Sequence, residues 1–242
     1  MTNQGARKIL WINPVGTDVF DQPMREYLGP FLADGSALDV ISLEEGPHDL
    51  NYLRAEASVI PDVVSLVERS DADAVIVGCF NDTGVHAARE GCSRLVIGPG
   101  EVAHHLASRC GSRWSVLVSE RKCIPRMTSV ANQYGFTANR VTFRSVGIGV
   151  HQFQVDQTET ISRLRKAAEE AIQVDMAETI ILGCTIQFGM FSELQRMLGI
   201  PVIDIAVAAL KEAEFLIDLS RLTGWRHSQS LTYLGPKGDD HG

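Results

Sequence analysis

Two cysteines occupy the same position in two similar stretches of this 242-residue chain. Cys79 follows the apolar run 75–78 (Val-Ile-Val-Gly), and Cys184 follows 180–183 (Ile-Ile-Leu-Gly). In both stretches a glycine comes five residues after the cysteine, then a helix-like segment and another short apolar run. Two thiols on opposite sides of one carbon can take a proton from one face and return a proton to the other. The spacing therefore predicts a two-thiol acid–base site across a pseudo-twofold axis.

The repeat extends upstream of the cysteines. One strand-like run ends at Asn13 and another ends at Ser119, 106 positions later, while Cys79 and Cys184 lie 105 positions apart. Two pairs with nearly the same offset indicate an internal duplication of about half the chain. The second strand of each half is predicted at 37–41 and 139–143.

Strand-like runs alternate with helix-length segments, which is typical of parallel sheets with crossover helices. We therefore predict an α/β fold with two pseudo-symmetric lobes, each a mainly parallel four-stranded sheet flanked by helices. No linker rich in proline, glycine or serine separates the halves. The first lobe is predicted to comprise 1–100 plus 208–242 and to contain Cys79, and the second to comprise 101–207 and to contain Cys184.

Open α/β sheets bind ligands at the carboxyl ends of their strands. Asn13, Cys79, Ser119 and Cys184 all follow strand-like runs, so we expect them to line a cleft between the lobes. Helices are predicted at 56–69, 158–174, 193–198 and 207–222. The inward face of the first of these helices is predicted to consist of Ala57, Ile60, Val63, Val64 and Val67. A frayed tail is expected at 235–242.

Composition excludes several classes of function. The formal charge of −8 argues against nucleic-acid binding, and no apolar run approaches the about 18 residues that a membrane span needs. The polar N-terminus and five cysteines without disulfide-framework spacing favour a cytoplasmic protein. No metal is expected, because no cysteines have zinc-ligand spacing and His104 and His105 point about 100° apart on a helix, where we expect a solvated face. A nucleotide-binding enzyme is not expected, because Gly98-Pro-Gly100 is not a dinucleotide fingerprint and the sequence has no P-loop.

The turns that follow the strands are expected to affect the acidity of the paired cysteines. A free thiol is only a few per cent thiolate at pH 7, and a helix N-terminus lowers its pKa. Both cysteines precede what reads as a strand-to-helix turn, so we expect the thiol pKa values to be lowered there. The other cysteines lack a symmetric partner and are expected to play no part in the site; they are Cys92, Cys110 and Cys123.

In these motifs the chain resembles the aspartate/glutamate/hydantoin racemase superfamily, most closely its hydantoin and allantoin racemase branch. The segment 78–84 (Gly-Cys-Phe-Asn-Asp-Thr-Gly) is similar to that branch's Cys-Phe-x-Asp-Pro-Gly, and 95–101 is similar to its Val-Ile-Gly-x-x-Glu. Further similar segments are 12–14, 181–184, 199–204, 231–233 and 236–237. The resemblance covers nearly the whole chain.

The resemblance implies a cofactor-independent racemase, often a homo-oligomer, that inverts a carbon next to a carbonyl in a 5-substituted hydantoin or related ureide. It implies that Cys79 and Cys184 carry the protons as acid and base. The candidate contacts to this small-molecule substrate are Asn13, Phe80, Asn81, Thr83, Ser119, Thr185 and Ile186. Leu10, Trp11, Phe80 and Phe188 near the site favour an apolar side chain on the substrate.

Three departures from the branch leave the substrate open. Val15 stands where the branch carries an asparagine, Thr83 replaces a proline, and Gly-Cys-Thr at 183–185 is similar to amino-acid racemases. An acidic amino-acid racemase and a maleate cis–trans isomerase of the same superfamily therefore remain alternatives. Retention of Cys79 argues against an arylmalonate decarboxylase. A carboxylate-binding sensor without catalysis is the non-enzymatic alternative.

Overall fold

The computed structural model describes residues 5–235 and contains two parallel four-stranded sheets. The predicted α/β fold of two similar halves is confirmed, because the strand orders are β2-β1-β3-β4 and β6-β5-β7-β8. The strands of the first sheet are β1 (Arg7–Asn13), β2 (Ser36–Ser42), β3 (Ala74–Val77) and β4 (Leu95–Ile97). Those of the second are β5 (Trp114–Val118), β6 (Val141–Ser145), β7 (Thr179–Leu182) and β8 (Val202–Asp204). The predicted frayed tail falls, from residue 236 onward, outside the described residues.

Helices connect the strands in both halves. They are α1 (Asp21–Leu28), α2 (Leu53–Arg69), α3 (Val85–Gly91), α4 (Pro99–Cys110), α5 (Ile124–Gln133), α6 (Gln157–Asp175), α7 (Phe191–Leu198) and α8 (Ile205–Thr223). The four helices predicted from the sequence are α2, α6, α7 and α8. The inward face of α2 is rotated from the prediction: Ala57 is exposed, and the buried positions are Glu56, Val59, Val63 and Val67.

The last helix of each half packs against the sheet of the other half. In α8, Ala206, Ala209 and Ala213 belong to the apolar core of the first sheet, which includes Trp11 and Ile76. Ala103 and Ala107 of α4 lie in the core of the second sheet, with Trp114 and Val116. Small side chains on both helices allow close packing, and this exchange joins the halves. The boundaries 1–100 plus 208–242 and 101–207 stay a prediction.

Two tyrosine–aspartate hydrogen bonds connect the halves in a pseudo-symmetric way. Tyr27 donates to Asp204 Oδ2 at 2.8 Å, and Tyr134 donates to Asp82 Oδ2 at 2.6 Å. Each aspartate also accepts hydrogen bonds from backbone N–H groups at the N-terminus of a helix. The donors to Asp204 lie in α8, and the donors to Asp82 lie in α4. In the first half Gly98 precedes the helix, and its absent Cβ leaves room for the Asp82 carboxyl, since a Cβ would lie 2.5 Å from Cγ.

The expectation of a solvated histidine pair on α4 was wrong for one member. His105 is exposed, but His104 is fully buried and its Nδ1 accepts a hydrogen bond from Trp114 Nε1 at 3.0 Å. Burial lowers the pKa of His104 to about 3, so the ring is neutral in the core. Within residues 5–235, no helix is long and apolar enough to cross a membrane, and no cluster of three or more potential metal ligands occurs.

Candidate active site

A glycine before each cysteine allows the strand ends to come together. A Cβ on Gly78 would lie 2.3 Å from Trp11 Nε1, and a Cβ on Gly183 would lie 2.7 Å from Val116 Cγ1. Both neighbours belong to the central strand of the same sheet, β1 or β5. A side chain at either position would push the strand end, and the cysteine that follows it, away from its sheet. The repeated Gly-Cys pattern thus has a packing cause in both halves.

Cys79 and Cys184 line one cavity of about 380 Å³. The hydroxyl of Thr185 donates to the carbonyl of Gly78 at 3.2 Å, which joins the residue after one cysteine to the residue before the other. The cavity is also lined by the predicted site residues Asn13, Phe80, Asn81, Ser119, Thr185 and Ile186. Strand ends from both sheets therefore meet at one site, as the sequence predicted. Thr83 is buried and instead contacts Cys79, with its Oγ1 3.6 Å from Sγ.

Burial, rather than a helix N-terminus, dominates the acidity of the thiols. It raises the pKa of Cys79 to about 11, opposed by the hydroxyl of Thr83 and the backbone N–H of Asn81. It raises the pKa of Cys184 to about 12, opposed by the backbone N–H of Ile186, and the proximity of Cys79 adds to the increase. The expected lowering was wrong, because α3 begins only at Val85 and a short 3-10 turn follows Cys184. Both groups are thiols at neutral pH.

The two asparagines in the cavity are held by neighbouring side chains. Asn13 Oδ1 accepts from Trp11 Nε1 at 2.8 Å, and Asn13 Nδ2 donates to Asp21 at 2.6 Å. Asn81 Nδ2 donates to Glu56 Oε1 at 2.8 Å, and no partner for Asn81 Oδ1 occurs in the described part of the chain. Each amide therefore has a set orientation and at most one remaining N–H for a ligand.

Sequence reasoning missed an ion pair beside Cys79. Glu56 lies on the buried face of α2, and its Oε2 is 2.9 Å from both Nε and Nη2 of Arg126 on α5. Both side chains line the cavity. A glutamate in register with Val59 and Val63 was the available signal, because a buried carboxylate needs a partner. The partner itself was not visible in the sequence, 70 positions away.

Cys123 was expected to lie outside the site, and this expectation was wrong. Cys123 lines the cavity, with its Sγ 3.5 Å from Ser119 Oγ and 3.4 Å from Asn51 Oδ1. Among the other cysteines, Cys110 is exposed at the end of α4 and Cys92 donates to a backbone carbonyl of α3. Because Cys123 lies in a turn before α5, its position depends on how that turn meets the loop after β2.

The apolar part of the cavity differs from the predicted one. Phe80 lines it, but Trp11 and Phe188 belong to the core around the first sheet, and Leu10 packs on the opposite side of that sheet. The apolar lining is provided by Pro14, Val15, Phe20, Met24, Leu50, Leu53, Phe80, Pro125, Met127, Val150 and Ile186. The site can thus hold a large apolar group beside the two thiols, although Phe80 is the one residue of the predicted four that lines the cavity.

Comparisons with known proteins identify the family of the chain. The model of the Asp/Glu/hydantoin racemase family matches residues 9–213. Hydantoin racemase from Paenarthrobacter aurescens is 30% identical over 233 residues, which cover 95% of this chain and 97% of that enzyme. Hydantoin racemase from Rhizobium meliloti is 31% identical over 185 residues, 75% of each chain.

A solved structure shares the fold over nearly the full length. Allantoin racemase from Klebsiella pneumoniae superposes with a TM-score of 0.88 at 24% identity, covering 96% of this chain and 94% of that one. This likeness confirms the arrangement of the two sheets. From the family match and the hydantoin racemases, we conclude that the chain belongs to the Asp/Glu/hydantoin racemase family and is an isomerase of the racemase class.

Proposed function

We propose that this protein racemises a 5-substituted hydantoin or a related ureide by proton transfer between Cys79 and Cys184, without a cofactor. The observation that carries the proposal is the placement of the two thiols at equivalent strand ends on one cavity, linked by the Thr185–Gly78 hydrogen bond. The identity to hydantoin racemases supports the substrate class. Family membership argues against the non-catalytic sensor.

The reaction is balanced by the two cysteines alone. One thiolate removes the proton from the carbon next to the carbonyl, and the electron pair of that C–H bond moves toward the carbonyl oxygen to form an enolate. The opposite thiol then protonates the other face of the carbon. At the end the first cysteine is a thiol and the second is a thiolate, which is the state required to convert the opposite enantiomer. Asn13 and Ser119 line the cavity and supply hydrogen-bond donors for the enolate oxygen.

Formation of the first thiolate has a definite cost. With a pKa of about 11 for Cys79, roughly one enzyme in 10⁴ carries that thiolate at pH 7, a cost of about 5 kcal/mol. The same burial makes the thiolate a stronger base once it forms, because it is poorly solvated. Both a hydroxyl and a backbone N–H contact the Cys79 thiol and lower its pKa, whereas a backbone N–H alone does so at Cys184. The Cys79 thiolate starts the reaction of one enantiomer and the Cys184 thiolate that of the other.

The chemistry of the lining favours an uncharged ring with an apolar substituent. Eleven apolar residues line the cavity, and its acidic residues Asp49 and Glu56 are matched by the basic Lys122 and Arg126. The lining therefore has no excess positive charge to attract a dicarboxylate. We further propose a cytoplasmic location and a homo-oligomeric state, on the grounds given by the sequence. Acidic amino-acid racemisation and maleate isomerisation are the alternative reactions of the same superfamily.

The test follows loss of the α-proton from each enantiomer of 5-benzylhydantoin by proton NMR in D₂O, with polarimetry in parallel. Wild type should exchange the proton and lose optical rotation. Cys79→Ser and Cys184→Ser should each abolish racemisation, yet each should still exchange the proton of one enantiomer, a different one in each variant. Cys110→Ser is the matched control, because Cys110 is exposed at the end of α4.

Two results would contradict the proposal. Racemisation by either active-site cysteine variant at the wild-type rate would exclude the two-thiol mechanism. Absence of exchange above the enzyme-free background in wild type would exclude the hydantoin substrate, and aspartate, glutamate and maleate would be assayed in its place.

A further inference from the structure

The ion pair between Glu56 and Arg126 crosses the cleft beside the reacting thiol. Glu56 is 3% exposed, and its carboxylate holds Arg126 from the second half through Oε2 and Asn81 from the first half through Oε1. Asn81 is two residues from Cys79, and its backbone N–H contacts that thiol. Glu56 therefore connects the turn of one catalytic cysteine to the opposite wall of the cavity.

Arg126 retains hydrogen-bond donors for a ligand. Its Nε and Nη2 both approach Glu56 Oε2 at 2.9 Å, whereas Nη1 has no acceptor among residues 5–235. The side chain is 35% exposed and lines the cavity. A guanidinium with its charge balanced by a buried carboxylate can donate to a neutral carbonyl oxygen. It gains little from binding a carboxylate, because Glu56 already neutralises it and would repel a second anion.

We infer that the Glu56–Arg126 pair determines substrate specificity: Arg126 Nη1 binds a carbonyl oxygen of an uncharged ring, and Glu56 keeps carboxylate ligands out. The inference rests on the proposed function and deepens it, since it names the feature that separates a ring amide from its ring-opened acid. Arg126 contacts the substrate, whereas Glu56 acts through Arg126 and Asn81 as a positioning residue.

Two changes that each remove one charge separate this role from a structural one. Glu56→Gln preserves the size of the side chain and an oxygen for Asn81 but leaves the Arg126 charge unbalanced. Arg126→Gln leaves Glu56 unbalanced instead. The double variant carries neither charge. Glu169→Gln, which breaks the exposed pair with Arg165 on α6, is the control.

The probes are 5-benzylhydantoin, which is neutral, and its ring-opened anion N-carbamoylphenylalanine. We expect Glu56→Gln to bind the anion about tenfold more tightly or better. It should also raise the KM for the hydantoin, because Arg126 loses the carboxylate that orients it. Arg126→Gln should weaken both ligands, and the double variant should return anion binding to near the wild-type value. Glu169→Gln should leave both ligands unchanged.

The pH profile is a second readout. Burial raises the pKa of the Cys79 thiol, and the nearby carboxylates of Glu56 and Asp82 raise it further. The Cys184 thiol lies across the cavity from Cys79. Removal of the Glu56 charge should shift the alkaline rise of kcat/KM to lower pH, which a loss of packing would not do.

Calorimetric binding of the anion keeps the inference testable apart from turnover. If wild type fails to racemise hydantoins, the proposed function fails, yet tighter anion binding by Glu56→Gln would still support exclusion of anions by the pair. Equal anion affinity in wild type and a folded Glu56→Gln would overturn the inference. The inference would also be overturned if Arg126→Gln and Glu56→Gln both kept the wild-type ratio of the affinity for the anion to the affinity for the hydantoin.

Discussion

Thr83→Val tests whether the hydroxyl beside Cys79 acts on the thiol. The Oγ1 of Thr83 lies 3.6 Å from Cys79 Sγ, and Thr83 is 3% exposed, so valine can occupy the same space without the donor. The hydroxyl lowers the pKa of Cys79, which burial raises to about 11. The sequence predicted instead that Thr83 binds a substrate oxygen. These two roles have different kinetic signatures.

The expected size follows from hydrogen bonding to a charged acceptor. Such bonds contribute about 1.5–3 kcal/mol, and the long contact to sulfur places this one near the lower end. A loss of about 1.4 kcal/mol raises the pKa of Cys79 by about one unit. At a given pH below that pKa, the thiolate of Cys79 becomes about tenfold less abundant.

The assay is α-proton exchange in D₂O for each enantiomer separately, from pH 7 to 10.5. In the Cys184→Ser background, where Cys79 is the base, Thr83→Val should lower kcat/KM for exchange about tenfold and move the profile up by about one pH unit. In the Cys79→Ser background, where Cys184 is the base, Thr83→Val should leave exchange of the other enantiomer unchanged, which provides the internal control. Thr160→Val, which removes a buried hydrogen bond to Phe153 O away from the cavity, controls for stability. An equal rise in KM for both enantiomers, with no pH shift, would refute the reasoning.

Three further predictions use other parts of the structure. In wild type, kcat/KM should rise about tenfold per pH unit from 7 to 10, because Cys79 ionises with a pKa of about 11; a plateau by pH 8 in polarimetric rates would contradict this. Tyr134→Phe removes one hydrogen-bond donor to the buried Asp82 and should lower the free energy of unfolding, measured in urea, by about 1–3 kcal/mol. Tyr52→Phe, at an exposed tyrosine, is the control. Equal unfolding midpoints for Tyr134→Phe and wild type would count against a bridging role of Tyr134. Gly78→Ala should lower the free energy of unfolding by about 1–3 kcal/mol and, by displacing Cys79, reduce kcat. Gly29→Ala, whose Cβ meets no atom within 4 Å, should have neither effect. Normal activity of Gly78→Ala would contradict the packing argument.

The sequence was sufficient for the features that depend on local pattern. Alternation of strands and helices predicted the two parallel sheets, and the repeat indicated which strand ends are equivalent. Because parallel strands present their carboxyl ends at one edge, the shared cavity of Asn13, Cys79, Ser119 and Cys184 followed from that pattern. Their roles in catalysis stay a proposal.

Other features could not be read from the sequence because they arise between distant segments. Cys123 reaches the cavity through the turn before α5, and His104 is buried beneath Trp114, although the pattern favoured a solvated histidine pair. The predicted inward face of α2 was correct at Val63 and Val67 but one residue away in the first turns of the helix, which concealed Glu56. In each case a neighbour from another element determines the environment of the side chain.

The amino-acid sequence by itself determined the duplicated α/β fold and the two Gly-Cys strand ends, because hydrophobic period and the need for glycine at close contacts are local properties. Only the tertiary structure decided the surroundings of those cysteines. Docking of the two halves partly buries both cysteines in the cleft, where desolvation raises their pKa values, and it joins Glu56 to Arg126. Burial and charge pairing depend on residues far apart in the chain, and these come together only when the halves pack.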